Sequence, residues 1–304
     1  MVLCIAMTAR PTEQHLESIS GIDTWDDNRI LEVMVEGQAR AIAAVAAAIP
    51  EIAKAADLLA NRLNAGGRLI YAGAGTSIRI AVQDGSELPA TFGLDENRIA
   101  YLIAGGRNAM FETLAGAEDD EAAARHDALI CTSADTLIAV AASGSTPYTL
   151  AAAHMAKTRG TKVIAIVNNP ASPLEALADI AIVLNSGPEI IVGSTRMAAG
   201  TAQKAALNLL STLANIRLGA VHDGYMVNVQ AGNAKLRHRA LGIVMAISGA
   251  DVAKAEAALE MANGAVKPAV LLCKGADSLA AAQGLLNAAG NNLRKALSRL
   301  AETS

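Results

Sequence analysis

Five short apolar runs, at 68–73, 98–104, 136–143, 162–168 and 180–184, constrain the fold of this chain more than any other feature. Sequence compatible with helices separates most of them. Strands that are apolar throughout, joined by helical crossovers, belong to parallel sheets covered on both faces. The expectation is an α/β fold: a three-layer, doubly wound parallel sheet of five strands. Ligands of such sheets lie beyond the carboxyl ends of the strands, near the switch in strand order.

Two of the runs end in glycine turns rich in hydroxyls. The first breaks into Gly73, Gly75, Thr76 and Ser77, and a helix is expected to follow. The third ends in Ser143, Gly144, Ser145 and Thr146, ahead of Pro147, a residue that a first helical turn accepts. Glycine lets the backbone approach a ligand, the free N–H groups of the next helix point at it, and the hydroxyls add donors. Two such corners in one chain point to a single phosphorylated small molecule.

The segments around this core differ in character. Residues 1–33 read as an irregular N-terminal arm with Trp25 as its large anchor, 34–230 as the sheet domain, and 231–304 as a small helical C-terminal region. Leu31 to Asn64 is Ala-rich with helical spacing and a break expected at Pro50. A long helix there with few charges, such as 38–60, predicts packing against a second copy as well as the sheet, hence a homodimer. Helices are expected from Arg196 to Leu218, from Asn233 to Met245 and at 251–261, and no tandem repeat is evident.

Composition narrows the functional classes. Apolar residues make up 52% of 304, but only seven are aromatic, so the core must be aliphatic. A formal charge of −4 and a pI near 5.8 argue against a nucleic-acid binder. Cys4, Cys131 and Cys273 are odd in number and lack metal-like spacing, which fits a reduced cytoplasm. The run Met1 to Met7 is short and precedes its first charge, Arg10, so it makes a poor signal peptide, and no stretch suggests a membrane span.

Two carboxylate segments could supply acid and base, since burial and mutual repulsion push paired carboxyl groups apart in pKa. One holds Asp84 and Glu87 late in the helix after the first corner, before Pro89. The other, Gly116 to Glu121, carries four acidic residues and by itself reads first as a solvated helix start. The five histidines form no metal spacing, and His154, set among alanines, reads as packing. Lys235, Arg237 and Arg239 form a basic run that suits either an anion or a solvated face.

In one register from Thr12 to near the C-terminus, the chain resembles the N-acetylmuramic acid 6-phosphate etherases of the sugar isomerase (SIS) domain superfamily. The resemblance is carried by Thr12-Glu13, Gly73 to Ser77 with Arg79, Asp84 to Glu87 with Pro89, Gly116 to Asp119, Ser143-Gly144 with Thr146 to Tyr148, Asn169-Pro170, Gly193 to Met197, and Asn233 to Leu236. It implies an SIS-type, flavodoxin-like sheet and a lyase without metal or cofactor. Its substrate is a sugar phosphate, from which it removes D-lactate to leave N-acetylglucosamine 6-phosphate, as a cytoplasmic homodimer in cell-wall amino-sugar recycling. By position Glu87 matches the family's acid and Glu118 its base. Thr76, Ser77, Ser143 and Thr146 match the family's phosphate-contacting turns, Gly75, Gly144, Ser145 and Ser194 are expected to contact the substrate beside them, and Lys235 matches a lysine near the family's active site. The alternatives are a sugar-phosphate-binding regulator, like the related glucokinase regulatory protein, and an aldose–ketose isomerase.

The chain departs from the family pattern at four places. Ile78 stands where glycine is usual, Ser145 where arginine is usual, Leu16 where asparagine is usual, and Asp223-Gly224 replaces Gly-Asn. A β-branched residue resists positive φ, so at 78 either the usual glycine has ordinary dihedrals or the turn has moved.

Overall fold

A computed structural model describes residues 10–229 and 232–303. Cys4 and the Met1–Met7 run lie outside the described residues. The chain divides into two compact units, one of residues up to 85 with 97–211, the other of 86–96 with 212 onward.

The first unit opens with short 3-10 turns at Pro11–Glu13, Glu17–Ile19 and Ile22–Thr24. Thr12 and Ile19 are the buried residues of these turns, whereas Trp25 is half-buried with the Arg29 guanidinium 3.8 Å from its ring centre. Trp25 is therefore a cation–π platform rather than the expected anchor. Helices α1 (Asp27–Ala47) and α2 (Ile49–Asn64) meet at the break expected near Pro50, which divides the helix expected at 38–60. Pro50 has no N–H to donate and would crowd the preceding turn, so the chain breaks at Ala48 and Pro50 enters the first turn of α2.

The strands are β1 (Leu69–Gly73), β2 (Ile99–Ile103), β3 (Thr136–Ala141), β4 (Lys162–Val167) and β5 (Ile180–Val183). All pair in parallel in the order β2-β1-β3-β4-β5. Every residue of β1 and β3 is buried, as strands covered on both faces must be. The order reverses between β1 and β3, and their carboxyl ends lie in register at Gly73 and Val140. Both glycine corners therefore open at the switch point where doubly wound sheets bind ligands.

Helices α3 (Gly75–Phe92), α4 (Glu121–Asp127), α5 (Pro147–Thr158), α6 (Pro173–Leu177) and α7 (Ala198–Arg217) complete the layers. Ile78 lies inside α3 and is buried, so this position has helical dihedrals and the turn ends before it. His154 is exposed on α5, in line with Lys157 and Thr158, and the packing expectation for it is overturned. Its neighbours Ala152, Ala153 and Ala156 take the buried face instead.

Asp84, 4% exposed, ties α3 down. Its carboxylate accepts from Tyr71 Oη at 2.7 Å, Asn208 Nδ2 at 2.7 Å and Ser211 Oγ at 2.9 Å. Burial, with the Asp84 charge beside it, pushes the Tyr71 phenol well above its ordinary value, and the same causes push Tyr101, stacked 5.7 Å away, up to about 12. Both phenols are thus neutral at physiological pH, and Tyr71 keeps the proton it donates.

The second unit contains a short hairpin, β6 (Val221–His222) and β7 (Tyr225–Met226). Its turn residues Asp223 and Gly224 have φ of +46° and +81°, the geometry that an Asp-Gly pair favours in a two-residue hairpin. Helices α8 (Ala234–Ser248), α9 (Val252–Met261), α10 (Val266–Cys273), α11 (Leu279–Ala288) and α12 (Leu293–Thr303) follow. The last four form a repeat that the sequence did not reveal. α9 and α11 start at 252 and 279, α10 and α12 at 266 and 293, a period of 27 residues. Asp251 and Ser278 cap the first helix of each copy through their side chains. Left-handed pairs, Asn263-Gly264 and Gly290-Asn291, turn each hairpin. The buried positions coincide: Ala255 with Ala282, Ala262 with Ala289, Val266 with Leu293, Ala269 with Ala296 and Cys273 with Leu300.

Candidate active site

A cavity of about 450 Å³ opens at the β1/β3 switch point of the first unit. Its lining includes Gly75, Thr76 and Ser77 from the first corner and Ser143, Ser145 and Thr146 from the second. Gly75 has φ +53° where β1 passes into α3. In the second corner Ser145 N–H donates to Ser143 Oγ at 3.2 Å, and Ser143 Oγ lies 3.3 Å from Thr146 Oγ1. Thr146 is the N-cap of α5, yet its side chain makes no cap hydrogen bond, which leaves first-turn N–H groups for a ligand. The start of α7 differs: the buried Glu189 carboxylate accepts from Ala198 N at 3.0 Å and Ala199 N at 2.9 Å. That helix end is already neutralised by a protein anion.

Gly144 does not line the cavity. Its φ is +64°, a Cβ there would come within 2.2 Å of Ser172 Oγ, and its carbonyl accepts from Leu174 N at 3.0 Å. It shapes the corner from behind. Ser194 lies between two lining residues, Gly193 and Thr195, and is itself half-buried.

The acidic run divides by role. Asp120 caps α4 through Ala123 N at 2.9 Å, and Glu121 pairs with Arg125 at 3.0 Å, as a solvated helix start would. Glu118 and Asp119, on a 3-10 turn entered through left-handed Gly116, line the cavity instead. A carboxylate and two sets of hydroxyl donors therefore share one space. Among the described residues Arg10 is the lining's cation, against Glu13, Glu118 and Asp119. Binding a phosphate there depends on hydroxyl and amide donors more than on charge.

Arg10, Thr12, Glu13, Asp119 and Thr195 were not anticipated as site residues. Thr12 is held by Asn169, at the end of β4, whose Nδ2 donates to Thr12 Oγ1 and to the Ala142 carbonyl, both at 3.0 Å. Gly193 N–H donates to the Thr12 carbonyl at 3.2 Å. The sequence signal was present in Thr12-Glu13 and Asn169-Pro170, but it pointed to no role.

Glu87 and Lys235 belong to the second unit. Glu87 is exposed on α3, which continues past Pro89 to Phe92, and Lys235 is exposed in the first turn of α8.

If the two corners hold a phosphate, Ser77→Ala and Ser143→Ala should each weaken sugar-phosphate binding by about 10- to 100-fold, the usual weight of a hydrogen bond to a charged acceptor. Calorimetric titration checks this, and unchanged affinity in both variants contradicts it.

Residues 113–213 match the SIS domain model, and residues 51–157 match the glucokinase regulatory protein N-terminal SIS domain model. An N-acetylmuramic acid 6-phosphate etherase of Symbiobacterium thermophilum is 47% identical over 86% of this chain and 87% of its own. Relatives of the same name from Deinococcus radiodurans and Streptomyces avermitilis are 44% and 43% identical, over 93% and 94% of this chain and 93% of each relative. With such identity along nearly its whole length, on an SIS-type sheet, this chain belongs to the N-acetylmuramic acid 6-phosphate etherase family.

Proposed function

We propose that this protein is a carbon–oxygen lyase that cleaves the D-lactyl ether of N-acetylmuramic acid 6-phosphate, leaving N-acetylglucosamine 6-phosphate and D-lactate. The observation that carries the reading is the cavity that brings the Glu118 carboxylate together with both hydroxyl corners. The corners hold the 6-phosphate. Ring opening gives an aldehyde that acidifies the C2 proton. Glu118 takes that proton, the C2–H electron pair forms the C2–C3 double bond, and the C3–oxygen bond breaks. An acid protonates the departing lactyl oxygen, the role that Glu87 takes by its position in the family pattern. Water then returns a hydroxyl to C3 and a proton to C2, so the atoms balance without an oxidant or reductant.

Incubating the pure protein with N-acetylmuramic acid 6-phosphate and assaying D-lactate tests the function. Stoichiometric release supports it, while tight sugar-phosphate binding without release favours a regulator. Among the described residues no helix is long and apolar enough to cross a membrane, which is compatible with a cytoplasmic site of action.

The functional unit is a homodimer in this reading. Leu31, Val35 and Ile42 form an exposed apolar row on α1, and Phe111 is 93% exposed, surface that a second copy would cover. Light scattering at micromolar concentration should give twice the chain mass, and a strict monomer contradicts the dimer.

A further inference from the structure

We propose a second anion site, for a phosphorylated and hydroxyl-bearing metabolite, in the helical repeat of the second unit, with Lys267 and Arg237 as its cations. A cavity of about 770 Å³ lies against both hairpin turns of the repeat. Asn263, Gly264 and Ala265 come from the first turn and Asn291 from the second. Lys267 and Arg237 line it, together with the amides of Asn228 and Gln283, and no carboxylate does among the described residues. Its size is that of a small-molecule site, about 300–1,000 Å³.

The repeat itself shows that Lys267 is anomalous. One period later stands Arg294, which is exposed and paired with the Asp223 carboxylate. Lys267 is 3% exposed. Its ammonium donates to the Asn291 carbonyl at 2.7 Å, and among the described residues no carboxylate pairs with it. A buried ammonium has three donors, and one neutral acceptor leaves it undercompensated. Burial accordingly pushes the amine down to about 8.

Two cations facing one space without an acid suit a dianion better than a monoanion. A phosphate monoester carries about −1.5 to −2 at neutral pH, against −1 for a carboxylate. The asparagine and glutamine amides supply both donors and acceptors for hydroxyl groups on the same ligand. Occupancy would complete the coordination of Lys267 and stiffen the junction between the two copies of the repeat. This site is separate from the cavity at the β1/β3 switch point and does not depend on the reaction assigned there.

Equilibrium dialysis of the full-length protein against labelled inorganic phosphate, with D-lactate as the monoanion control, tests the proposal. The parent should bind two phosphates per chain, Arg237→Gln should bind one, and Ser77→Ala with Ser143→Ala should lose the other. Lys267→Met should behave as Arg237→Gln. Circular dichroism controls for its folding, and Arg237→Gln, a surface change on α8, decides the matter if Lys267→Met is unfolded. D-lactate at the same concentration should displace little phosphate. Equal phosphate stoichiometry in the parent and Arg237→Gln overturns the proposal. Loss only in the serine variant also overturns it, while leaving the first cavity's phosphate reading intact.

Discussion

Glu118→Gln should lower D-lactate release from N-acetylmuramic acid 6-phosphate by about 10²- to 10⁴-fold, the range over which a general base contributes. The amide occupies nearly the same volume but cannot take a proton from C2. Because Glu118 stands on an exposed 3-10 turn rather than in the core, the fold should survive the change. The variant should lose both lactate release and exchange of the C2 proton with solvent. Glu87→Gln should behave differently, because its role begins once the proton has left: C2 exchange persists in part while net cleavage falls. Kinetics of both variants, with thermal unfolding as the control, separate the two roles. If both turn over like the parent, the acid–base assignment is wrong even though the family is secure.

A large effect on the folded state should come from Gly144→Ala. Its φ of +64° costs an L-residue about 1–2 kcal/mol. The new Cβ would also lie 2.2 Å from Ser172 Oγ and 2.4 Å from Ser172 Cβ, and such overpacking adds about 1–3 kcal/mol. The corner cannot easily rotate away, since Gly144 N–H donates to the Ala141 carbonyl and its own carbonyl accepts from Leu174 N, both at 3.0 Å. Destabilisation of about 2–5 kcal/mol is expected, together with weakened sugar-phosphate binding, because Ser143 and Thr146 move with the turn. Gly187→Ala is the control. Its φ is +71° but nothing lies within 4 Å of the added carbon, so only the backbone cost of about 1–2 kcal/mol applies. Urea unfolding of the two variants measures the difference, and equal stabilities would refute the role of Ser172.

Sequence revealed the sheet well for a physical reason. Strands buried on both faces must be apolar throughout, so β1 and β3 announce themselves, and glycine with hydroxyls marks where each stops. The corners at 75–77 and 143–146 were legible because few other chemistries need those residues between a strand and a helix. Alanine enrichment hid the rest. In the 251–303 region the two copies of the repeat share little beyond alanine and a leucine, and their turns read Asn-Gly in one and Gly-Asn in the other. The common signal, a capping residue followed by a left-handed pair at fixed spacing, lies in backbone conformation rather than residue identity. The exposure of His154 was illegible for a similar reason: among alanines, only Lys157 and Thr158 on its side mark the face that meets water. The lining role of Thr12 and Glu13 was invisible because contact with Asn169 spans 157 positions of chain.

The central claim, elimination at C2 and C3 followed by addition of water, is tested most directly by running the reaction of the parent protein in D2O. N-acetylglucosamine 6-phosphate formed this way should carry one deuterium at C2 by proton NMR, in step with an equal amount of D-lactate bearing no carbon-bound label. Release of D-lactate with the original C2 proton retained would mean direct displacement at C3 and would contradict the account, as would a protein that binds the substrate and releases nothing.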